Sequence, residues 1–411
     1  MIYRLFYYLI KLTCFFYFKK TRIYHPENFD FKNPLIICAN HGNSFMDAIL
    51  IAINSKRTLH FLVRADVFDT PFKRWFFGRL NMMPIYRIRD GREALKNNDS
   101  IFLKCRKILE NNGAIVIFPE GNCIVEKRLR AFKTGFVHLA FNSSLPNLQV
   151  MPVAINYSQP TEFNTDVSLS FLKPISVEEI KRSTGENEFD FNKLLMKKTH
   201  DALRQHMVYI PDETDDTFFE SVLLMQRNSV VLTDIEFVSK QVKLSERLSQ
   251  LKINNALKFE NLKNRTEAYF ELLKSERLTD EAIIAKQIPI LKIILLFPFY
   301  ISGFFLNSLP VVFLENIVNT KIREEQFKSS VRMVLSLFIY LIYILTVSAL
   351  LNLAFQNYLL TLIIVLSLMY CYYHIFSDFN LFEKQKRKLT QQTQVDKLKE
   401  TRGQIVSEFS L

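Results

Sequence analysis

His41 and Asp47 stand six positions apart in the stretch "IICANHGNSFMDAILIAI", residues 36–53, between two apolar runs. An imidazole and a carboxylate that touch form a general-base pair. The carboxylate takes one ring N–H, fixes the tautomer and stabilises the imidazolium, while the other ring nitrogen removes a proton from a hydroxyl. Such help is worth roughly 10²–10⁴ in rate. Six helical steps rotate about 600°, so the two side chains cannot share a helix face. His41 must precede the helix and fold back over its first turn. A second reading stays open on spacing alone: Ser44 caps the helix, Asp47 completes a capping box three residues on, and His41 is a turn residue.

Three further groups carry charge at turns. "AIVIFPEGNC" places Glu120 between Pro119 and Gly121, where a carboxylate can bind a hydroxyl and where Pro and Gly equally make a plain turn. In "GRLNMMPIYRIRDGREAL", Arg87 and Arg89 alternate with apolar residues, and either guanidinium can grip a phosphate through two N–H groups or simply face solvent. "EKRLRAFKTGFVHLAF" gathers Lys127, Arg128, Arg130 and Lys133 and reads as a helix opening just after the glutamate turn. The cluster suits a bound anion or a solvated basic face.

These residues need a scaffold. Residues 26–211 read as α/β, with buried strands "PLIICA", "TLHFLV", "AIVIF" and "VMPVAI". Helical segments lie between them: "SFMDAILIAI", "SIFLKCRKILE", "GFVHLAFNSS" and "NKLLMKKTHDALRQHM". Strands alternating with helices predict a sheet covered by helices. The "NHGN" stretch is then a strand-to-helix turn.

The remainder is organised around apolar segments. Residues 1–25 predict a helix lying in the bilayer interface, with Arg4 and Lys11 on one face and Lys19, Lys20 and Arg22 behind it; packing on the protein's own core is the alternative. Residues 212–287 are charged, contain no glycine and read as a helical extension. Residues 288–314 are apolar but interrupted by Pro289, Pro298, Gly303 and Pro310, which predicts a re-entrant or interfacial hairpin. Residues 331–376 suffice for two transmembrane helices of ~20 residues each. Residues 377–411 form a basic tail. Lys and Arg in the tail and in the 315–332 loop place both on the cytoplasmic side.

A net charge of +12 suits anionic lipid or a phosphorylated substrate. Nucleic acid is not expected as a partner, because no finger, basic zipper or RNA-binding signature is present. Nine glycines among 411 residues leave no glycine-rich phosphate loop. Five scattered cysteines (Cys14, Cys38, Cys105, Cys123, Cys371) predict reduced thiols rather than a disulfide framework. His25, His60, His138, His200, His206 and His374 show no ligand spacing, so no metal site is expected.

Taken in order, "NHGNSFMD", "GRLNMMPIYRIRDG", "FPEGNC" and "VMPVAINY" resemble the four blocks of the glycerol-phosphate and lysophosphatidate acyltransferases, the PlsC-like family, over roughly residues 20–210. Two departures stand out. Five residues, not the usual four, separate His41 from Asp47, so that Met46 holds the usual carboxylate position, and Asn122 and Cys123 replace the common Thr-Arg after Gly121. The longer spacing and the C-terminal apolar region resemble a subgroup near the fungal-type glycerol-3-phosphate acyltransferases. The resemblance implies the glycerolipid acyltransferase fold and acyl transfer from a thioester to a hydroxyl. His41 would be the base and Asp47 its orienting partner. Arg87 would bind the acceptor's phosphate, and Glu120 and Gly121 the glycerol backbone. Lys133 would meet an anion, and Pro152 would line the acyl side. The implied donors are acyl-CoA or acyl carrier protein, and the acceptor glycerol-3-phosphate, its 1-acyl derivative or dihydroxyacetone phosphate. No cofactor is implied. The protein would be integral to the membrane, touching lipid, with its catalytic domain in the cytoplasm. Two other readings remain: an acyltransferase for another lysolipid, and an inactive scaffold using the helical extension to hold partners.

Overall fold

The computed structural model describes residues 2–29, 32–87, 90–229, 233–286, 288–390 and 392–409, so Arg89 lies outside the described residues. The chain forms two compact units, Met1–Tyr209 with Ile322–Val334, and Ile210–Lys321 with Leu335–Leu411.

The first unit is built on eight strands: β1 (Lys20–Tyr24), β2 (Leu35–Ala39), β3 (Leu59–Arg64), β4 (Met82–Ile85), β5 (Ala114–Ile117), β6 (Gln149–Tyr157), β7 (Asp166–Phe171) and β8 (Ile175–Ser176). Their order is β1-β7-β6-β2-β5-β3-β4, with β8 also on β6. Strands β6, β2, β5, β3 and β4 run parallel to their neighbours, whereas β7 and β8 pair antiparallel with β6. Every residue of "LIICA" and "AIVI" is buried, as a parallel strand covered on both faces requires.

Alternate residues of β2 feed opposite cores, following the two-residue period of a strand. Leu35, Ile37 and Ala39 pack with α1 (Ile2–Tyr17) and α2 (Ser44–Ile53). Ile36 and Cys38 pack with α5 (Asn97–Glu110), α6 (Gly135–Phe141) and α8 (Glu188–His206). Three short helices complete the unit: α3 (Pro71–Arg79), α4 (Arg92–Leu95) and α7 (Val177–Ser183). The four strands read from the sequence as apolar runs are present. Strands β1, "KTRIY", and β4, "MMPI", gave no such signal because they close the two edges, where charge and proline are tolerated.

A segment far along the chain also belongs to this unit. The first turns of α14 (Glu325–Phe355) pack against α1 and α2. Tyr17 and Ser329 share a buried hydrogen bond of 3.0 Å, Cys14 donates to the Met333 sulfur at 3.3 Å, and Arg332 donates to the Thr161 carbonyl at 2.7 Å. Phe327 rests against Phe45, with ring centroids 6.1 Å apart.

In the second unit the extension forms α9 (Asp216–Ser229), α10 (Asp234–Asn254), α11 (Ala256–Ser275) and α12 (Asp280–Ile284), joined by α16 (Gln392–Phe409). Asp280, 2% exposed, binds Arg402 Nε at 2.7 Å, Tyr269 at 2.8 Å and Asn228 at 2.8 Å, so the charge is neutralised and its lone pairs are used. Two apolar helices, α13 (Ile290–Lys321) and α14, are long enough to cross a membrane. The apolar part of α15 (Tyr358–Thr390) is shorter among the described residues, Tyr358–Tyr370. The 288–314 stretch is not a hairpin: α13 runs unbroken through Pro298 and Pro310. Ser302 donates to the Pro298 carbonyl and Asn307 to the Gly303 carbonyl, so side chains bond backbone carbonyls near the prolines. The chain instead turns at Gln356, where φ is +49°.

Candidate active site

Parallel pairing gathers the chemistry at the carboxyl ends of the strands, where α/β sheets place their ligands. Cys38 of β2 pairs with Ile117 of β5. Three residues beyond each pair member lie His41 and Glu120, which therefore leave the sheet side by side. The His41 backbone N–H donates to Glu120 Oε1 at 2.8 Å, tying the two loops together. Strand β6 runs on the other side of β2 and ends at Tyr157.

The His41 ring folds back over the start of α2, with Nδ1 2.9 Å from Asp47 Oδ2. Asp47 is fully buried, yet three donors converge on it. Besides the ring, the Asn43 backbone N–H reaches Oδ2 at 2.9 Å and the Tyr157 hydroxyl reaches Oδ1 at 2.7 Å. A carboxylate accepts, so in this contact the ring donates from Nδ1 and turns Nε2 away from Asp47. The two readings of Asp47 are thus compatible: one carboxylate both bonds the helix start and orients the imidazole. The cap residue is Asn43, not Ser44, and its side chain makes no capping bond. The extra residue of the spacing is absorbed at Ser44, whose φ of +45° lies in the left-handed region that few non-glycine residues adopt.

His41 stacks on Phe118, centroids 4.1 Å apart, and its side chain keeps 18% exposure. The ring is held on one face and reachable from solvent. Burial and the Asp47 charge push the Tyr157 hydroxyl well above its ordinary pKa, so it remains a donor. Burial pushes the Cys123 thiol up as well. Its sulfur accepts the Ser44 N–H at 2.9 Å. His41, Asp47 and Cys123 place ligand-type atoms within 4.8 Å of one another, the arrangement among the described residues that approaches a metal-ligand set. The Asp47 oxygens in it are engaged by three protons.

The Glu120 carboxylate is turned into the protein. Its side chain is 2% exposed, and Oε2 accepts the Arg130 Nε–H at 2.9 Å as well as the Arg130 backbone N–H at 3.3 Å. Burial raises its pKa above 4.5, against the lowering influence of Arg130 and the His41 N–H. The basic cluster is therefore partly spent internally: Arg130 holds Glu120 and the Asn122 carbonyl, and Arg128 holds Glu126 at 2.9 Å. Residues 124–134 form an irregular loop and the helix begins only at Gly135, later than the sequence suggested. Gly121 has φ +75°, and a Cβ there would meet Lys133 Cγ at 3.2 Å. Lys133 is exposed, and its N–H donates to the Pro119 carbonyl at 2.7 Å. Pro152 stands apart from this group: it is buried inside β6 opposite Cys38, and its carbonyl accepts the Leu172 N–H.

Arg87 follows β4, three strand positions from β2, which sets the two chain segments about 14 Å apart at the sheet. Asp90 accepts from its Nε at 3.3 Å and its Nη2 at 3.2 Å, and Asp66 accepts from Nη2 at 3.3 Å. Asp66 also binds Arg64. The guanidiniums hold both carboxyls below the usual range. Arg87 Nη1 is buried without a hydrogen-bond partner among the described residues. The sequence did not point to Asp66, Asp90 or Tyr157. The last residue of a block on the same strand-end edge was the available signal for Tyr157.

Comparison with known proteins places the family similarity in the first unit. Residues 20–156 match the family described as Acyltransferase. Over 150 residues the chain is 26% identical to a probable 1-acyl-sn-glycerol-3-phosphate acyltransferase of Mycoplasma pneumoniae, covering 35% of this chain and 53% of that one. It is 24% identical over 147 residues to a chloroplastic 1-acyl-sn-glycerol-3-phosphate acyltransferase of Brassica napus, covering 35% and 40%. With the 1-acyl-sn-glycerol-3-phosphate acyltransferase of Cocos nucifera it shares 27% over 120 residues, covering 29% and 38%. The matches thus span about half the length of these relatives or less. The crystal structure of PlsC, a 1-acyl-sn-glycerophosphate acyltransferase of Thermotoga maritima, aligns with a TM-score of 0.32 and 20% identity, covering 44% of this chain and 71% of that one. The family match covers residues 20–156, about a third of the chain.

Proposed function

We propose that this protein is a membrane-bound acyltransferase that moves a fatty acyl group from a thioester donor to a hydroxyl of a glycerol-phosphate acceptor. The observation that carries the reading is His41 Nδ1 lying 2.9 Å from the buried Asp47, with the ring still partly exposed. His41 Nε2 takes the proton of the acceptor hydroxyl as its oxygen attacks the thioester carbonyl. Asp47 stabilises the imidazolium through Nδ1–H. The tetrahedral intermediate collapses, the C–S bond breaks, and His41 returns the proton to the departing thiolate. No serine nucleophile is needed, and no cofactor enters the scheme.

Arg87 binds the acceptor's phosphate, a role supported by its Nη1, which has no hydrogen-bond partner among the described residues. Glu120 acts by fixing the His41 backbone, and Gly121 by permitting the turn that carries it. The exposed Lys133 ammonium is available to an anionic group of donor or acceptor. The donor is acyl-CoA or acyl carrier protein, and the acceptor glycerol-3-phosphate or 1-acylglycerol-3-phosphate, the latter favoured by the names of the relatives. The five-residue spacing and the long apolar helices support a place near the fungal-type glycerol-3-phosphate acyltransferases. Ile322–Val334, which includes the loop between α13 and α14, packs within the unit that holds the site, which supports a site on the same side of a membrane as that loop. Lys321, Arg323, Lys328 and Arg332 in and around that loop support the cytoplasmic side.

The test is transfer of a radiolabelled acyl group by the purified full chain, with each donor against a panel of phosphate-bearing and phosphate-free acceptors, and with His41→Ala in parallel. Phosphatidate-type product from wild type and its loss in the variant are expected. Equal behaviour of the two proteins sinks the proposal, and preference for a phosphate-free lysolipid reassigns the acceptor.

A further inference from the structure

Helix α3, "PFKRWFFGR", is firmly specified yet buries nothing. Pro71 opens it, and the Thr70 side chain accepts the Lys73 N–H at 3.2 Å. No residue of the helix is buried, and Phe72 and Trp75 are 67% and 51% exposed. Its inner side is anchored by Phe77 on Phe68, 5.6 Å between centroids, and by Phe76 on Phe6 of α1 at 5.5 Å. Phe72 stacks on Phe76 at 5.9 Å. An unbroken aromatic surface therefore joins α3 to α1.

Helix α1 is apolar on two sides. Cys14 and Tyr17 enter the core, while Leu5, Tyr8, Leu12 and Phe15 form an exposed stripe at helical spacing. The two helices together carry Arg4, Lys11, Lys73, Arg74 and Arg79 and no acidic residue. Arg79 lies over the Trp75 ring, 5.9 Å from its centre. Aromatic rings interleaved with cations match one chemical environment: the headgroup boundary of an anionic bilayer, which accepts rings at the level of the acyl carbonyls and cations at the level of the phosphates. We propose that α3 is a second membrane-docking element, with Phe72 and Trp75 seated in the interface and Lys73, Arg74 and Arg79 on anionic lipid. The β3–β4 connection that carries α3 has Asp66 at its start and leads through β4 to Arg87, so docking holds the guanidinium cluster beside the lipid surface.

Trp75 is the only tryptophan in the chain, so its fluorescence reports on α3 without a label. The full chain is reconstituted in nanodiscs of phosphatidylcholine and phosphatidylglycerol, with or without bromine on the lipid acyl chains. Brominated lipid is expected to remove most of the Trp75 emission, while aqueous iodide removes little. Phe72→Ser, and separately Lys73→Glu with Arg74→Glu, are expected to weaken quenching by brominated lipid while far-ultraviolet circular dichroism stays unchanged. Emission indifferent to bromine overturns the proposal: with strong iodide quenching α3 faces water, and without it a protein surface covers α3. The readout does not depend on acyl transfer, so its failure leaves the proposed activity untouched.

Discussion

The Tyr157 hydroxyl donates to Asp47 Oδ1 at 2.7 Å across a sequence separation of 110 residues, from the end of one strand to the start of the helix after its neighbour. The carboxylate that holds the His41 ring is itself held by the Tyr157 hydroxyl. Tyr157→Phe removes one donor from the Asp47 carboxylate and leaves packing nearly intact. A hydrogen bond to a charged group is worth about 1.5–3 kcal/mol, so kcat should fall by roughly ten- to a hundredfold. A normal kcat would show that the bond is structural only.

Asp47 holds the helix start as well as the ring, and the two duties separate by mutation. His41→Ala should cut turnover by about 10²–10⁴ with little change in melting temperature. Asp47→Asn should cut turnover and also lower the melting temperature, because it weakens the bonds to the Asn43 N–H and the Tyr157 hydroxyl. Turnover assays paired with thermal melts check both.

Arg87 is shared between Asp66 and Asp90. Arg87→Ala should raise KM for phosphate-bearing acceptors far more than it lowers kcat. Asp66→Asn should lower that KM by up to about fivefold, the scale of a half-exposed ion pair, because one competitor for the guanidinium is gone. Initial-rate kinetics on a phosphorylated and an unphosphorylated acceptor distinguish these outcomes.

Burial raises the Glu120 carboxyl above its ordinary 4.5. Between 4.5 and the raised value the folded chain holds a proton that the unfolded chain has released. Stability therefore falls as pH rises through that window. Glu120→Gln should flatten this part of the pH dependence, read from melts taken from pH 4.5 upward. An unchanged slope would place the raised carboxyl elsewhere.

The segment Ile322–Val334 is an integral part of the unit that holds the candidate site. Ser329→Ala removes its hydrogen bond to Tyr17 and should cost about 0.5–1.5 kcal/mol. Limited proteolysis should then cut the loop between α13 and α14 faster than in wild type.

Much of the fold was legible because burial leaves a local trace. "LIICA" and "AIVI" are continuous apolar runs, and "SFMDAILIAI" is a helix from its first residue to its last. Edge strands β1 and β4 left no such trace, since a strand with one open side need not be apolar. The expected hairpin at 288–314 failed because Pro298 and Pro310 sit inside the continuous helix α13 instead of ending it.

The amino-acid sequence by itself determined which groups are available: an imidazole, a carboxylate six residues on, a guanidinium and a glutamate, each beside a strand end. It also determined the periodicities that make those strands and helices form. Only the tertiary structure decided what each group does. Parallel register set His41 beside Glu120, buried Glu120 against Arg130, moved Pro152 into the sheet and brought Tyr157 to Asp47. Pattern along a chain reports burial, whereas hydrogen-bond partners are fixed by strand order, which no local stretch encodes.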